Sequence, residues 1–204
     1  MKNLARVAVV SLSLLFGGTA LAQQGYEVIN PPQNTSTGDK VEVLEFFWYG
    51  CPHCNELEPL INDWDKERRA ENVEFIRVAP PLNPQWANHG RAFYAAKILG
   101  VLDQFHEPMF KALHEERKRL NSLEDIAAFA GDIGLDEDEF LKTMKSFAVE
   151  MELKRARQQA IAMRLTGVPA VVVNGKYKTS SAIAGGYPAM LDVIDRLAAQ
   201  EAAQ

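Results

Sequence analysis

The two cysteines of the chain stand together in Cys51-Pro52-His53-Cys54. Thiols at this spacing can form and break a disulfide with each other, or bind a metal ion together with further ligands. Structural zinc needs four ligands, and the sequence has neither a second Cys-x-x-Cys nor a spaced pair of histidines. As a structural disulfide the pair would contribute roughly 2 kcal/mol, against about 4.7 kcal/mol for a loop of about 100 residues. The spacing therefore favours a disulfide that reacts.

The first residues predict export, which supports a reactive disulfide. Two basic residues precede an apolar run over residues 7–16, and Ala20-Leu21-Ala22 has the small residues that signal peptidase cuts. The run is much shorter than the roughly 20 residues of a membrane anchor, which is the alternative. We therefore predict a signal peptide over residues 1–22 and localisation in the periplasm. Disulfides persist in such an oxidising compartment.

Length and composition are those of an ordinary globular protein. The chain has 204 residues, of which 47% are hydrophobic and 24% charged, enough for one domain or one domain with a large insertion. Disordered, collagen-like and disulfide-dense classes are excluded. The net charge of −5 argues against a nucleic-acid partner.

The cysteine motif lies between a predicted strand and a predicted helix. Residues 41–48 are apolar and aromatic, as in a buried central strand, and a turn follows. Pro52 is typical of the first position of a helix, where its missing N–H costs nothing. Leu57, Leu60, Ile61 and Trp64 then recur at helical spacing. Pro59 is expected to kink this helix.

The rest of the chain divides into a helical block and a second sheet segment. Residues 73–78 predict a strand, and residues 85–165 have a helical period with histidines that we assign to surfaces or caps (His89, His106 and His114). Asn174-Gly175 predicts a hairpin over residues 170–178. A last helix opens at Pro188, and a further strand is possible near residues 26–29.

Two details of the helical block are also predicted. Ser122 with Asp125, and Asp136 with Glu139, have the spacing of helix starts, and the second pair is closer to a capping box in residue types. One apolar stripe is predicted to consist of Phe140, Met144 and Phe147.

A strand that leads into Cys-x-x-Cys at a helix start, with a distant Val-Pro before a hairpin, resembles the thioredoxin fold. Glu45-Phe46-Phe47, Cys51-Pro52-His53-Cys54 and Gly167-Val168-Pro169 closely resemble the DsbA family of periplasmic thiol oxidases, over essentially the whole mature chain. The predicted class is α/β, a thioredoxin fold with a helical insertion domain. Its boundaries are residues 23–84 and 165–204 for the thioredoxin-like domain and 85–164 for the insertion.

The chemistry expected at the two cysteines differs. A negative charge at a helix N-terminus gains up to about 2 kcal/mol, which lowers the pKa of Cys51 by up to roughly one and a half units, and His53 adds to this. Thiolate stabilisation favours the reduced form and makes the pair an electron acceptor. Cys54 should be buried and less reactive. Glu45, an acid in an apolar strand, is predicted to exchange a proton with Cys54, the alternative being a solvent-facing carboxylate or one paired with a lysine.

The family resemblance implies further roles for the Val-Pro pair. Pro169 is expected to follow a cis peptide bond, although about 5–6% of X-Pro bonds are cis and sequence alone favours trans. Val168 is then a candidate for pairing with the substrate backbone. Trp48 and Tyr49 are candidates for nearby apolar surface, with core packing an equal alternative for Trp48.

The predicted function is a dithiol oxidase that transfers its Cys-Pro-His-Cys disulfide to newly exported proteins, without a bound cofactor or metal. The expected partners are unfolded exported proteins with free thiols and a quinone-coupled membrane oxidase of the DsbB type, and the protein is expected to be a monomer. The alternatives are a periplasmic disulfide reductase or isomerase, and a peptide-binding chaperone whose cysteines are incidental.

Overall fold

A five-stranded mixed sheet forms the centre of the protein. The computed structural model describes residues 24–204, so the predicted signal peptide lies outside the described residues. The strand order is β1-β5-β4-β2-β3. The strands are β1 (Glu27–Val28), β2 (Val41–Phe46), β3 (Val73–Val78), β4 (Ala170–Val173) and β5 (Tyr177–Thr179). The predicted sheet segments, including the one near residue 27, are confirmed.

Strand β2 is central and buried along its whole length. It pairs in parallel with β3 and antiparallel with β4, and β5 pairs antiparallel with both β4 and β1. Side chains alternate across the sheet. Leu44 and Phe46 belong to the core cluster shared with the helical block, and Val41 and Val43 to a second cluster on the other face. By the same alternation, Glu45 lies on the face of β2 that carries Val41 and Val43.

Nine helical segments surround the sheet in the described part of the chain. One of them, Trp64–Arg68, is a π-helical turn that continues the first helix. The α-helices are α1 (Pro52–Asp63), α2 (Pro84–Ile98), α3 (Leu102–His114), α4 (Leu123–Asp132), α5 (Glu137–Met144), α6 (Phe147–Ala162), α7 (Ser181–Ala184) and α8 (Tyr187–Ala202). Within residues 24–204 no helix has the length and apolar character needed to cross a membrane.

Helix α1 begins as the sequence predicts, but one residue of its predicted apolar stripe is not buried. Pro52 is at its first turn, and Pro59 lies inside the helix without ending it. Leu57, Ile61 and Trp64 are buried, whereas Leu60 is exposed because the face towards the core runs through Leu57 and Ile61.

The helical block differs from the sequence prediction at two helix starts. The capping box is at Ser122 and Asp125, where each residue's side chain bonds the other's backbone N–H, whereas Asp136 accepts from the N–H of Glu139 without a reciprocal bond. Phe147 is 78% exposed, so its assignment to a buried stripe is wrong. The physical reason is a new helix that starts at Phe147 with Ser146 as its N-cap, which breaks the helical period.

The hairpin between β4 and β5 is confirmed. Asn174 and Gly175 both have positive φ, at 50° and 64°, as the two central residues of a type I′ turn require. A Cβ at Gly175 would lie 2.2 Å from the backbone oxygen of Gln33. Glycine is therefore needed there for its small size as well as for its φ. The short helix α7, which follows the hairpin, was not predicted.

Candidate active site

Cys51 caps the N-terminus of helix α1. Its own backbone is extended, with φ −88° and ψ 117°, and the next residue begins the helix. The Cys51 N–H donates to Trp48 O at 3.0 Å, which closes the turn after β2. The Cys51 carbonyl accepts from the Asn55 N–H at 3.1 Å. This geometry directs the unpaired N–H groups of the first helical turn at the Cys51 thiol.

Both cysteines are free thiols, and their surroundings shift their pKa values in opposite directions. The pKa of Cys51 is lowered to about 6, first by the hydrogen bond from the Cys54 thiol, then by the backbone N–H groups of Cys54 and His53 and by the charge of His53; burial opposes the shift. The pKa of Cys54 is raised, first by burial and then by its hydrogen bond with Cys51 and by the negative charges of Cys51 and Glu45. Cys51 is 8% exposed and Cys54 is 0% exposed.

The Val168–Pro169 segment lies beside Cys51 because of strand pairing. Ala170 opposes Phe46 at the end of β2, so the residues before β4 approach the loop that carries the cysteines. The Cys51 Sγ atom is 3.5 Å from Val168 O. The Val168–Pro169 peptide bond is cis, as the family resemblance implied. Val168 is half-buried, and Pro169 is buried.

His53 lies at the exposed rim of the site, where it contacts two residues that were not predicted: Glu56 through its ring and Tyr187 through its backbone oxygen. His53 Nδ1 is 3.2 Å from Glu56 Oε2. The Tyr187 hydroxyl is 3.0 Å from His53 O and 3.1 Å from the same Glu56 oxygen. The pKa of Tyr187 is raised to about 12, first by burial and then by Glu56, so the hydroxyl stays protonated. Glu56 follows His53 at helical i, i+3 spacing, which is the sequence signal for this contact.

Glu45 is buried below the cysteines and faces an arginine. The Glu45 side chain is 1% exposed, and its Oε2 atom lies 3.2 Å from Arg77 Nε, although the geometry does not make a hydrogen bond. The open alternatives of a solvent-facing carboxylate and a lysine partner are therefore wrong. Burial raises the pKa of Glu45 to about 7, against the lowering effect of Arg77.

A second buried carboxylate, Glu58, joins this network from helix α1. Its Oε1 atom is 2.9 Å from Asn62 Nδ2, 3.4 Å from Arg77 Nη2 and 3.2 Å from His106 Nε2. Although burial opposes the shift, these donors lower the pKa of Glu58. Glu58 was not among the predicted site residues, although its position between Leu57 and Ile61 on the buried face of a helix is a usable signal.

His106 and Tyr49 complete the network and correct two expectations. His106 is buried rather than at a surface or cap, and its Nδ1 is 2.7 Å from the Tyr49 hydroxyl. Tyr49 is 1% exposed, so it contributes no surface near the site. Burial lowers the pKa of His106. His89 is also buried, with Nε2 2.8 Å from Leu120 O, because both histidines face the apolar side of their helices.

Trp48 is half-buried and stacks on two rings of the helical block. Its ring centroid is 4.9 Å from that of Trp86, with the planes 16° apart, and 5.8 Å from that of His89. A Cβ on Gly50 would lie 2.3 Å from the Trp48 ring, so glycine is required for this stacking. Core packing, the alternative stated for Trp48, therefore describes part of its role.

A groove of about 830 Å³ opens beside the cysteine motif. Its walls come from the segment around the cis peptide, from helix α7 and from the start of α8. His53, Glu56 and Tyr187 form the edge nearest the motif, and Glu27 and Lys178 form an ion pair at 2.9 Å on another wall.

Comparison with known proteins identifies related chains. The family model of the DSBA-like thioredoxin domain matches residues 42–189. A thiol:disulfide interchange protein DsbA of Pseudomonas aeruginosa is 37% identical over 208 aligned positions, which cover 100% of this chain and 98% of that protein.

Solved structures give the same result. The crystal structure of Pseudomonas aeruginosa DsbA matches with a TM-score of 0.84 and 37% identity, covering 88% of this chain and 93% of that one. The oxidoreductase DsbA from Xylella fastidiosa matches with a TM-score of 0.82 and 30% identity, covering 88% and 96%. The predicted thioredoxin fold and the predicted family are confirmed.

Proposed function

We propose that Cys51 and Cys54 form the reactive disulfide of this chain, which belongs to the family of DSBA-like thioredoxin-domain proteins. It is a thiol:disulfide oxidoreductase of the dithiol oxidase type. The observation that carries this proposal is the contrast between a Cys51 thiol with a pKa of about 6 at a helix N-terminus and a fully buried Cys54 thiol with a raised pKa. Such a pair has one sulfur that substrates reach and one that they do not.

The first step breaks the Cys51–Cys54 disulfide. A substrate thiolate attacks Cys51 Sγ, a new bond joins the two sulfurs, and the electron pair of the broken bond goes to Cys54. Cys54 in its buried position takes up a proton, since burial penalises the thiolate. Glu45, with a pKa of about 7, is the group that supplies this proton near neutral pH.

The second step releases the oxidised substrate. Another substrate thiolate attacks the substrate sulfur of the mixed disulfide, and Cys51 leaves as a thiolate. Its low pKa makes it a good leaving group at neutral pH. Two electrons pass from the substrate dithiol to the enzyme, one proton is held by Cys54, and the other goes to solvent.

We assign substrate binding to the segment before β4 and the groove beside it. The Val168 carbonyl, 3.5 Å from the Cys51 sulfur, is placed to accept from the backbone of an extended peptide. Pro169 has no N–H and so offers no competing donor at this point. Pro52 sets the start of the helix, and His53 adds positive charge near Cys51.

The cellular setting is likewise a proposal. The substrates are unfolded exported proteins with free thiols, in the periplasm, where disulfides persist. Reoxidation requires an electron acceptor, and a quinone-coupled membrane oxidase of the DsbB type is the partner that we propose. We further propose that the enzyme is a monomer, with a thioredoxin-like domain at residues 23–84 and 165–204 and a helical insertion at residues 85–164.

An equilibrium titration against glutathione tests the direction of the reaction. A stabilised Cys51 thiolate raises the reduction potential by about 30 mV for each 1.4 kcal/mol. We expect a couple well above that of a thioredoxin-like reductant, about −270 mV. His53→Ser should lower the potential, because it removes the charge of His53 but leaves the helix N–H groups in place.

The alternative functions predict different results in this titration and in two further measurements. A potential near that of thioredoxin indicates a reductase, and faster reshuffling of scrambled disulfides than oxidation of reduced substrate indicates an isomerase. If Cys51→Ser acted on its substrate proteins as well as the parent protein does, the chain would be a peptide-binding chaperone. Each of these results contradicts the proposed oxidase.

A further inference from the structure

A chain of buried polar contacts connects the helical block to the carboxylate below Cys54. Arg77 contacts both Glu45 and Glu58, and Glu58 lies 3.2 Å from His106 of helix α3. His106 then reaches Tyr49, two residues before Cys51. The block therefore contributes a polar group to the redox centre as well as apolar packing.

The contacts of His106 define which ring nitrogen carries its proton. His106 Nε2 is 3.2 Å from Glu58 Oε1, although this contact lacks hydrogen-bond geometry. A lone pair on Nε2 would face the carboxylate oxygen, so Nε2 carries the hydrogen. Nδ1 is then the acceptor for the Tyr49 hydroxyl at 2.7 Å. Aromatic rings surround the imidazole, with centroids at 5.2 to 6.1 Å (Phe47, Tyr49, Phe93 and Phe110). His106 is thus a neutral imidazole held in one orientation, with its N–H close to Glu58 but not in hydrogen-bond geometry.

The charges around the network decide what this donor does. The groups that face His106 are Glu58 on α1, Arg77 on β3, Tyr49 in the loop after β2 and Asp103 on its own helix. Arg77 is the cation that the network shares, and two carboxylates compete for it. When Glu58 is ionised, it shares the positive charge of Arg77 with Glu45. The negative charge of Glu58 also disfavours ionisation of Glu45.

We propose that His106 is a positioning residue that keeps Glu58 ionised against Arg77 and thereby leaves Glu45 able to hold the proton that Cys54 exchanges. This rests on the proposed function, in which Glu45 exchanges that proton. Without the His106 donor, Glu58 protonates more readily. Arg77 then acts on Glu45 alone, and Glu45 ionises at lower pH.

The test measures the step in which Cys54 attacks a mixed disulfide between Cys51 and glutathione, as a function of pH. In the parent protein Glu45 accepts the Cys54 proton, so the rate should rise through a midpoint near pH 7. His106→Phe keeps a planar ring within the aromatic cage but removes the donor. We expect its midpoint to move to lower pH by about one unit. His106→Gln keeps an uncharged N–H donor and should retain the parental midpoint.

Two further variants make the result decisive. His114→Gln is the matched control, since His114 lies on the same helix and contacts Tyr49 O at 2.7 Å but no carboxylate. Its profile should be parental. The pair Tyr49→Phe with His106→Phe removes the hydroxyl that the single variant leaves unpaired, and it should show the same shift if His106→Phe is too unstable to measure.

Two patterns would overturn the inference. The first is a parental midpoint in both His106→Phe and the double variant, and the second is an equal shift in His106→Phe and His106→Gln, which would mean that ring volume matters and the donor does not. Glu45→Gln distinguishes failure of the inference from failure of the proposed function. A parental pH profile in Glu45→Gln would show that Glu45 does not exchange the proton, whatever His106 does.

Discussion

The redox centre has an outer rim, formed by Cys51, His53, Glu56 and Tyr187, and a buried base, formed by Cys54, Glu45 and Arg77. These two regions shift the pKa of a cysteine in opposite directions. At the rim, a hydrogen bond from the Cys54 thiol and then the helix N–H groups lower the pKa of Cys51 to about 6. At the base, one helical turn away, burial raises the pKa of Cys54. Two thiols in one short motif are therefore made chemically different by where the backbone and the core place them, and not by their own chemistry.

The polar groups that surround each thiol differ in the same way. The rim has the exposed side chains of His53 and Glu56 and the half-buried Tyr187, whose contacts at the surface are individually weak. The base has Glu45 and Arg77 in a water-poor interior, where an unpaired charge is costly. Substitutions at the base should therefore have larger effects than substitutions at the rim, except at Cys51 itself.

The largest expected effect separates the two cysteines. Cys51→Ser and Cys54→Ser should both lose oxidase turnover completely, because neither can form the disulfide. Cys54→Ser should nevertheless accumulate mixed disulfides with proteins that already carry a disulfide, because its Cys51 thiolate attacks that bond, the second sulfur of the bond leaves as a thiolate, and no Cys54 thiol remains to resolve the complex. Cys51→Ser should accumulate none, because Cys54 is fully buried. Non-reducing gels and mass spectrometry measure the adducts, and equal trapping by both variants would contradict the division into rim and base.

A smaller effect appears in the pH dependence of stability. The folded pKa of Cys51, about 6, lies below the ordinary value near 8.5, so its thiolate stabilises the reduced protein at high pH, and this is lost as the pH falls through 6. Between pH 5 and pH 7 the free energy of unfolding of the reduced protein should rise relative to the oxidised protein by about 1 kcal/mol, after allowance for solvent screening.

The contribution of Glu45 to stability changes with pH in the opposite direction, so Glu45 must be replaced for this measurement. Its pKa of about 7 is raised, so its contribution to stability is present at low pH and is lost as the pH rises through 7. Urea unfolding of the reduced and oxidised forms at the two pH values should therefore be carried out in Glu45→Gln. If the difference between the redox forms does not change with pH in this background, the rim does not stabilise the Cys51 thiolate.

The chemistry of the rim follows from local sequence, and so it could be predicted. Pro52 after a strand and a turn defines the helix start, and the helix start supplies the N–H groups that act on Cys51. The hairpin is local in the same sense, because Asn174 and Gly175 are the residues that its turn requires. Such features depend on neighbours within a few residues.

The base could be predicted only in part, because its members come from distant segments. Glu45 was found as an acid in an apolar strand, but its partner Arg77 depends on the parallel register of β2 and β3, in which the two residues are opposite each other. Glu58 and His106 both occupy positions on the buried faces of their helices, which is the same signal that identified Glu45. Their contact requires α3 to pack near α1, and a single sequence does not specify that packing.

The smallest expected effect concerns the Tyr187 hydroxyl. It measures how little the outer contacts of the rim contribute to the pKa of Cys51. Tyr187→Phe removes the contacts with His53 O and Glu56 Oε2 but keeps the ring at the groove edge. The N–H groups that act on Cys51 belong to the helix and remain in place. Glu56 keeps its contact with His53, and both side chains are exposed, so screening limits any change in charge that reaches the thiolate. We therefore expect the pKa of Cys51, measured by its rate of alkylation against pH, to change by no more than a few tenths of a unit. Tyr177→Phe is the matched control and should leave the pKa unchanged, because it removes a β5 hydroxyl that accepts from Gln200 of α8. A shift of a full unit in Tyr187→Phe alone would show that the rim is as tightly coupled as the base, and the contrast between the two regions would fail.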